Sequence, residues 1–253
     1  MPTSNPYYSQ DAKRYSSYFS LDKPFRKTDA EHTGTKQKNI EHIASQLKTF
    51  ILDNNHPCII ARSTIRNGSC RFGVYPELGS KSATAGLSRD LIRFLDESKN
   101  LSDSYASFMA VFQTPLSMSE PVFEEKLWNQ LELLQKAATP YYAWDNTTSS
   151  NPSDSKFGFS FGGKAFYIVG MHRNSSRLAR RFAYPMLVFN LHEQFEAMRT
   201  AGKYEKVKSV IRRNDIELQG TVNPMLRDFG DASEARQYSG RAVPDNWKCP
   251  YLS

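Results

Sequence analysis

The chain lacks most of the features that would assign it quickly. It has only three cysteines in 253 residues, Cys58, Cys70 and Cys249, an odd number, widely spaced and without a CxxC pair. That composition argues against a disulfide framework and against a thiolate zinc site, and reduced, partly buried thiols are expected instead. No stretch approaches the apolar length of a membrane span, and the first residues have no apolar core of the secretory kind. The expectation is a soluble, cytoplasmic protein with no membrane partner. Without a secretory signal, the Asn-X-Ser/Thr triplets at Asn67, Asn100, Asn146 and Asn174 carry no weight. There is no Walker GxxxxGK[ST], no strand-linked GxGxxG and no internal repeat.

Positive charge is in surplus, with a formal net charge of +7. Such a balance invites a nucleic-acid reading, because Lys and Arg neutralise phosphates. No helix-turn-helix, zinc finger, RNP-type motif or Lys/Arg tract accompanies it, so a basic nucleic-acid-binding module ranks third among the readings weighed below and no nucleic-acid partner is expected. Aromatics are plentiful, 16 Phe and 13 Tyr, which makes ring-lined pockets easy to build.

Residues 1–38 are polar, rich in Ser, Tyr and Lys, and without sustained periodicity, so they are expected as an arm over the body. Ile40, Ile43, Leu47, Phe50 and Ile51 recur at helical spacing. The apolar run from Cys58 to Ala61 after Pro57 predicts a short buried strand, with Cys70 to Tyr75 as its hairpin partner across an Asn67-Gly68 turn. A helix over 87–95, a strand over 105–113 and a helix over 123–138 follow. Residues 139–156, dense in Pro, Asp, Asn, Thr and Ser, predict a long surface loop. Alternating Phe157, Phe159 and Phe161, then Gly162-Gly163, predict a hairpin returning through Val169. Helices are expected over 176–182, 192–200 and 204–218, with a strand over 186–189. The fold class is therefore α+β: a mixed, mainly antiparallel sheet flanked by helices in a single compact domain over 39–253. Two lobes, about 39–138 and 157–253, are joined by the loop.

Chemistry concentrates in the second lobe. The strand ending at Gly170 runs into His172, and Arg177, Arg180 and Arg181 fall at i, i+3 and i+4 of the helix expected after it. Like charges on one face repel, so this face calls for an anion: internal carboxylates, or a phosphate or carboxylate ligand such as the haem propionates. His172, at the lip of a strand with cations behind it, is the first candidate for an iron ligand, against the alternative of a hydrogen-bonded structural histidine. His192 and Cys58 are its rivals. His192 with Glu196 is an incomplete metal pair at i, i+4, and the Ile59-Ile60 neighbours of Cys58 suit a buried structural thiol. Beyond Gly220 a glycine-punctuated polar stretch offers Glu234 and Asp228 to hold a guanidinium or amino group. Asn223, Gln237 and Tyr238 could orient it.

Several blocks in one order resemble the YqcI/YcgG family: Pro57-Cys58 with Ala61, Gly170-Met171-His172 through Arg180-Arg181-Phe182, Val188 through Phe195, and Gln219 through Cys249-Pro250. The resemblance spans about residues 40–250. Arg173 and Leu191 depart from it, standing where the family pattern has proline. Members of that family include haem-dependent N-hydroxylases of free arginine-like amino acids. The resemblance therefore implies a haem b monooxygenase that uses O2 and an external reductase to N-hydroxylate a guanidine or amine nitrogen. It casts His172 as axial ligand, with Cys58 and His192 as alternatives, and Arg177, Arg180 and Arg181 as cofactor partners. Glu234, Asn223 and Gln237 become the catalytic set, with Glu234 as guanidinium anchor. The competing readings are a haem-binding carrier or sensor without turnover and the nucleic-acid module. A homodimer is left open.

Overall fold

The structure, a computed structural model, describes residues 6–21, 35–53, 55–101 and 105–251. A six-stranded sheet organises it: β1 (Phe19–Ser20), β2 (Cys70–Glu77), β3 (Ser107–Thr114), β4 (Phe159–Phe161), β5 (Lys164–Met171) and β6 (Met186–Leu191), in the order β1-β2-β3-β6-β5-β4. Only β2 and β3 run parallel, and α4 (Lys81–Ser98) makes the crossover between them. All other neighbours are antiparallel, so the protein is α+β with a mixed, mostly antiparallel sheet. β3 pairs with β6 from Ser107–Asn190 to Val111–Met186, which makes one sheet of strands that lie on either side of the 139–156 loop.

Strand alternation splits the core in two. Phe108, Ala110 and Phe112 of β3, with Phe166 and Ile168 of β5, face α4 and α5 (Glu120–Ala138). Met109 and Val111, with Met171, Val188 and Phe72, face the other way, toward α2 (Thr35–Leu52) and α3 (Ile59–Arg66). Gly170 lets α5 come close to β5: a Cβ there would sit 2.7 Å from Phe123 Cε1 and 2.8 Å from the Tyr238 carbonyl oxygen. The Phe-rich hairpin forms as its alternation predicts, turning on Gly162 (φ +63°) and Gly163 (φ +77°).

The expected strand over Cys58–Ala61 is instead the start of α3. Cys58 is its N-cap, with Sγ accepting the Ala61 N–H at 3.4 Å. A run of four apolar residues is compatible with either element, and the cap decides it. Asn67-Gly68 therefore joins a helix to β2 rather than two strands of a hairpin.

Of the expected N-terminal arm, residues 6–21 are described and pack on the body; 1–5 and 22–34 lie outside the described residues. α1 (Gln10–Tyr15) lies against α4, and β1 pairs with β2. Asp90 of α4 holds this segment from inside the protein. Fully buried, it accepts from Ser16 Oγ at 2.5 Å, the Ser17 N–H at 2.6 Å and Tyr75 Oη at 2.7 Å. Burial outweighs those bonds and lifts its carboxyl to about 6, from an ordinary 3.8. A carboxyl raised in the folded state contributes stability that is complete below the unfolded value and lost as pH rises through the folded one. At ~1.4 kcal/mol per unit this is about 3 kcal/mol between pH 3 and 7. Urea unfolding of Asp90→Asn at those two pH values should show the wild type losing about that much more stability than the variant on going from acid to neutral. Parallel curves would show that Asp90 does not titrate in this window.

Candidate functional site

The α2–α3 side of the sheet is not fully packed. Between Met109, Val169, Met171 and Val188 on the strands and the helices above them lies a cavity of about 280 Å³, near the lower end of the ~300–1,000 Å³ usual for small-molecule pockets. α7 (Tyr204–Gln219) lays one stripe along it. Tyr204, Val207, Lys208, Ile211, Arg212 and Asp215 recur at the three- and four-residue steps that bring side chains to one helix face. α6 (His192–Thr200) supplies His192, Phe195, Met198 and Arg199, and the chain after α7 supplies Asn223, Asp228, Glu234 and Gln237. The floor is apolar and the polar groups gather at the helices.

His56, Pro57 and Cys58 enter this wall from the start of α3. The Pro57 carbonyl accepts from Asn214 Nδ2 of α7 at 3.2 Å. The Cys58 N–H donates to His56 Nδ1 at 3.3 Å, which leaves His56 Nε2 to carry the proton it donates to the Ala179 carbonyl at 3.0 Å. Burial pulls the His56 pKa down to about 4, so the ring is neutral at pH 7 and this arrangement holds. Burial pushes the Cys58 thiol up, against the backbone N–H groups of Ala61 and Ile60 that favour its thiolate.

Glu234 stands in the same cavity, 5% exposed. Its Oε2 accepts from Tyr238 Oη at 3.4 Å, and its Oε1 lies 3.6 Å from His192 Nε2, beyond direct hydrogen-bond length. Burial raises the Glu234 carboxyl. The His192 Nε2 atom is buried with no hydrogen-bond partner among the described residues, although its ring meets Phe229 edge-on. A buried acid and an imidazole nitrogen without a hydrogen-bond partner among the described residues give the cavity a polar end.

The arginine run is placed differently from its helical expectation. Only Leu178–Arg180 forms a single 3-10 turn, because the Arg180 carbonyl accepts the His172 N–H at 3.0 Å and the chain folds back on β5. Arg177 pairs with Asp215 at 2.6 Å and also donates to Thr221. Arg180 donates to the carbonyls of Gln237 (2.9 Å) and Tyr238 (3.0 Å), and Arg181 Nε to that of Ser175 (2.9 Å). The anion these charges call for is therefore largely internal: one carboxylate and a set of backbone oxygens. Arg177 and Arg180 still border the cavity; Arg181 does not.

His172 is outside it as well. It continues the β5 alternation onto the opposite face, where its ring stacks on Phe123 with centroids 4.4 Å apart. Both ring nitrogens are buried without partners among the described residues, and burial lowers its pKa. The first candidate for an iron ligand is thus turned away from the cavity, and its rivals Cys58 and His192 line it. Gln237 is committed at both ends, accepting from Tyr167 Oη at 3.0 Å and donating to the Arg227 carbonyl at 3.1 Å. Asn223 caps its own turn through Met225 N–H. Asp228 is taken by Lys208 and Tyr204. The pairing of His192 with Glu196 is long, 4.0 Å, and Glu196 is bonded to Arg199. Among the described residues no three His, Cys, Asp or Glu side chains gather to hold a metal ion by themselves. No helix among them is long and apolar enough to cross a membrane.

Fold and site together define a single-sheet α+β protein with an interior cavity that carries a capped thiol, a neutral histidine and a buried acid. The model of the YqcI/YcgG family matches residues 47–252, and the chain belongs to that family. No curated protein and no solved structure matches it.

Proposed function

We propose that the chain is a haem-dependent monooxygenase that N-hydroxylates a guanidine or amine nitrogen of a free arginine-like amino acid, drawing on O2 and an external reductase. The observation that carries this reading is the make-up of the cavity: an apolar floor, a soft ligand atom at a helix start, and a buried acid.

The donor chemistry of the wall suits haem. Cys58 and His192 are both wall residues able to serve as axial ligand, and the orphaned His192 Nε2 marks a polar end that a bound molecule would complete. Six cations line the cavity, Arg177, Arg180, Arg199, Lys208, Arg212 and Arg227, against the three carboxylates Asp215, Asp228 and Glu234, which suits an anionic guest. Cys58 is the proposed ligand, because its peptide is held by His56 and Asn214 and its sulfur faces the cavity wall as an acceptor for the Ala61 N–H; burial raises the free thiol, so metal binding would have to displace its proton. Haem, when bound, supplies reductive activation of O2. The chain does the rest. Glu234 binds the cationic nitrogen, Tyr238 steadies that carboxylate, Gln237 fixes Tyr167 at the cavity wall, and the Met and Val floor keeps bulk water from the reacting nitrogen.

Protein purified from haem-supplemented cells should show a Soret band and, with a reductant, consume O2 and convert arginine to an N-hydroxylated product. A colourless preparation overturns the reading; haem uptake without turnover leaves a carrier or sensor. Cys58→Ser should abolish the red-shifted carbon monoxide complex of a thiolate-ligated haem, while His192→Ala keeps it. A wild-type carbon monoxide complex without that red shift, with haem lost in His192→Ala and kept in Cys58→Ser, moves the ligand to His192.

A further inference from the structure

The cations along the cavity are not equivalent. Arg177 is spent on Asp215, Arg180 on backbone carbonyls, Arg199 on Glu196 and Lys208 on Asp228 and Glu205. Arg227 donates to the carbonyls of Pro224 and Leu226. Arg212, in the middle of the α7 stripe, differs: its Nε is buried with no hydrogen-bond partner, and no hydrogen bond or ion pair is made by its guanidinium among the described residues. Asp228, whose carboxyl its charge helps to lower, already receives the Lys208 ammonium and the Tyr204 hydroxyl. A guanidinium presents five N–H donors in a planar fork, and burying part of that fork unpaired is costly unless a ligand completes it.

We propose that Arg212 is the carboxylate-binding group of the cavity, engaging in bidentate fashion a carboxylate of the molecule that occupies it. This rests on the reading above only for the source of the carboxylate, a haem propionate or the α-carboxylate of an amino acid. Planar oxygen pairs match the fork, and cations outnumber carboxylates along the cavity wall around it. The inference relocates the anion site from the Arg177–Arg181 run, which the protein satisfies internally, to α7.

Two arms of one experiment separate the sources. In the first, uptake of haem is compared with that of its dimethyl ester, followed by the Soret band, in wild type, Arg212→Leu and Arg212→Lys. In the second, calorimetry compares arginine with its decarboxylated analogue in the same three proteins, with or without haem. Wild type should prefer the carboxylate form in one arm by about tenfold to a hundredfold, the range of a charge-assisted hydrogen bond. Arg212→Leu should lose that preference, and Arg212→Lys should keep part of it, which also answers any folding defect in the leucine variant. A preference that survives in Arg212→Leu, or no preference in either arm, overturns the proposal. Failure of wild type to take up haem removes the proposed function, and the amino-acid arm then decides for Arg212 by itself.

Discussion

Replacing Arg177 by Met is expected to destabilise the protein by about 3–5 kcal/mol, the loss typical of removing one partner from a buried ion pair. Arg177 and Asp215 are 6% and 7% exposed. The guanidinium gives one bond to Asp215 and two to Thr221, and among the described residues Asp215 otherwise receives only the Asn223 N–H at 3.2 Å. Met fills much of the arginine stem's volume but leaves a buried carboxylate without its countercharge and the Thr221 carbonyl without a donor. For a chain of this size the melting temperature should fall by roughly 10–15 °C. The double variant Arg177→Met/Asp215→Leu removes both charges and should recover most of the loss, since an apolar pair of similar volume can replace a buried ion pair with little cost. Scanning calorimetry of both variants checks this. If the single variant melts with the wild type, the pair contributes nothing, and Arg177 is then as available to a ligand as its sequence position suggested.

That pair also shows where sequence reasoning stops. The elements that alternate or repeat over a long span were legible: the Phe157–Val169 hairpin, α5, α6 and α7 all sit where their periods place them. Much of the cavity wall comes from α6, α7 and the chain after them, while His56, Pro57 and Cys58 enter it from the first half of the chain. Two features were hidden for physical reasons. The Arg177–Arg181 run has helical spacing, but a spacing argument supposes that carbonyls bond four residues on, and here the Arg180 carbonyl is taken by His172 across a turn. The partner of Arg177 lies 38 residues away on α7, a pairing that no local pattern reports. Cys58 read as a strand residue because four apolar residues carry no usable period, and its role as a helix cap depends on the Ala61 N–H.

His172 is the instructive case. Its sequence neighbourhood favoured it, yet β5 alternation assigns Val169 and Met171 to the cavity and Ile168, Gly170 and His172 to the α5 side. Carrying the strand's period one residue past its end would have excluded it. His56 was overlooked for the opposite reason: a histidine beside Pro57 has no periodic context, and only the bonds to Cys58 and Ala179 show what it holds in place.

Glu234→Gln should then have the largest effect on turnover. The side chain is buried with no Lys or Arg paired to it among the described residues: its nearest polar neighbours are His192 Nε2 at 3.6 Å, beyond direct hydrogen-bond length, and Tyr238 Oη at 3.4 Å. A cationic guanidine placed against this carboxylate gains a charge-assisted pair in a site shielded from water. Truncating one side of such a buried charged contact costs about 2–5 kcal/mol, which corresponds to a loss of roughly thirtyfold to several thousandfold in kcat/KM for an arginine-like substrate. Gln keeps the shape and one oxygen, so haem uptake and the melting temperature should stay near wild type; a parallel fall in both would mark Glu234 as structural. The decisive comparison uses a neutral ureido analogue of arginine. A site built around a carboxylate rejects it in the wild type, because the acid would remain buried and uncompensated, whereas the Gln variant should bind both ligands with similar affinity. Equal rejection of the analogue by wild type and variant would mean that the cation is recognised elsewhere in the cavity. The remaining carboxylates there, Asp215 and Asp228, are already held by Arg177 and Lys208. Glu234 is the lining acid that forms no ion pair with a Lys or Arg side chain among the described residues, and it is on this ground that the proposed guanidinium contact is placed there.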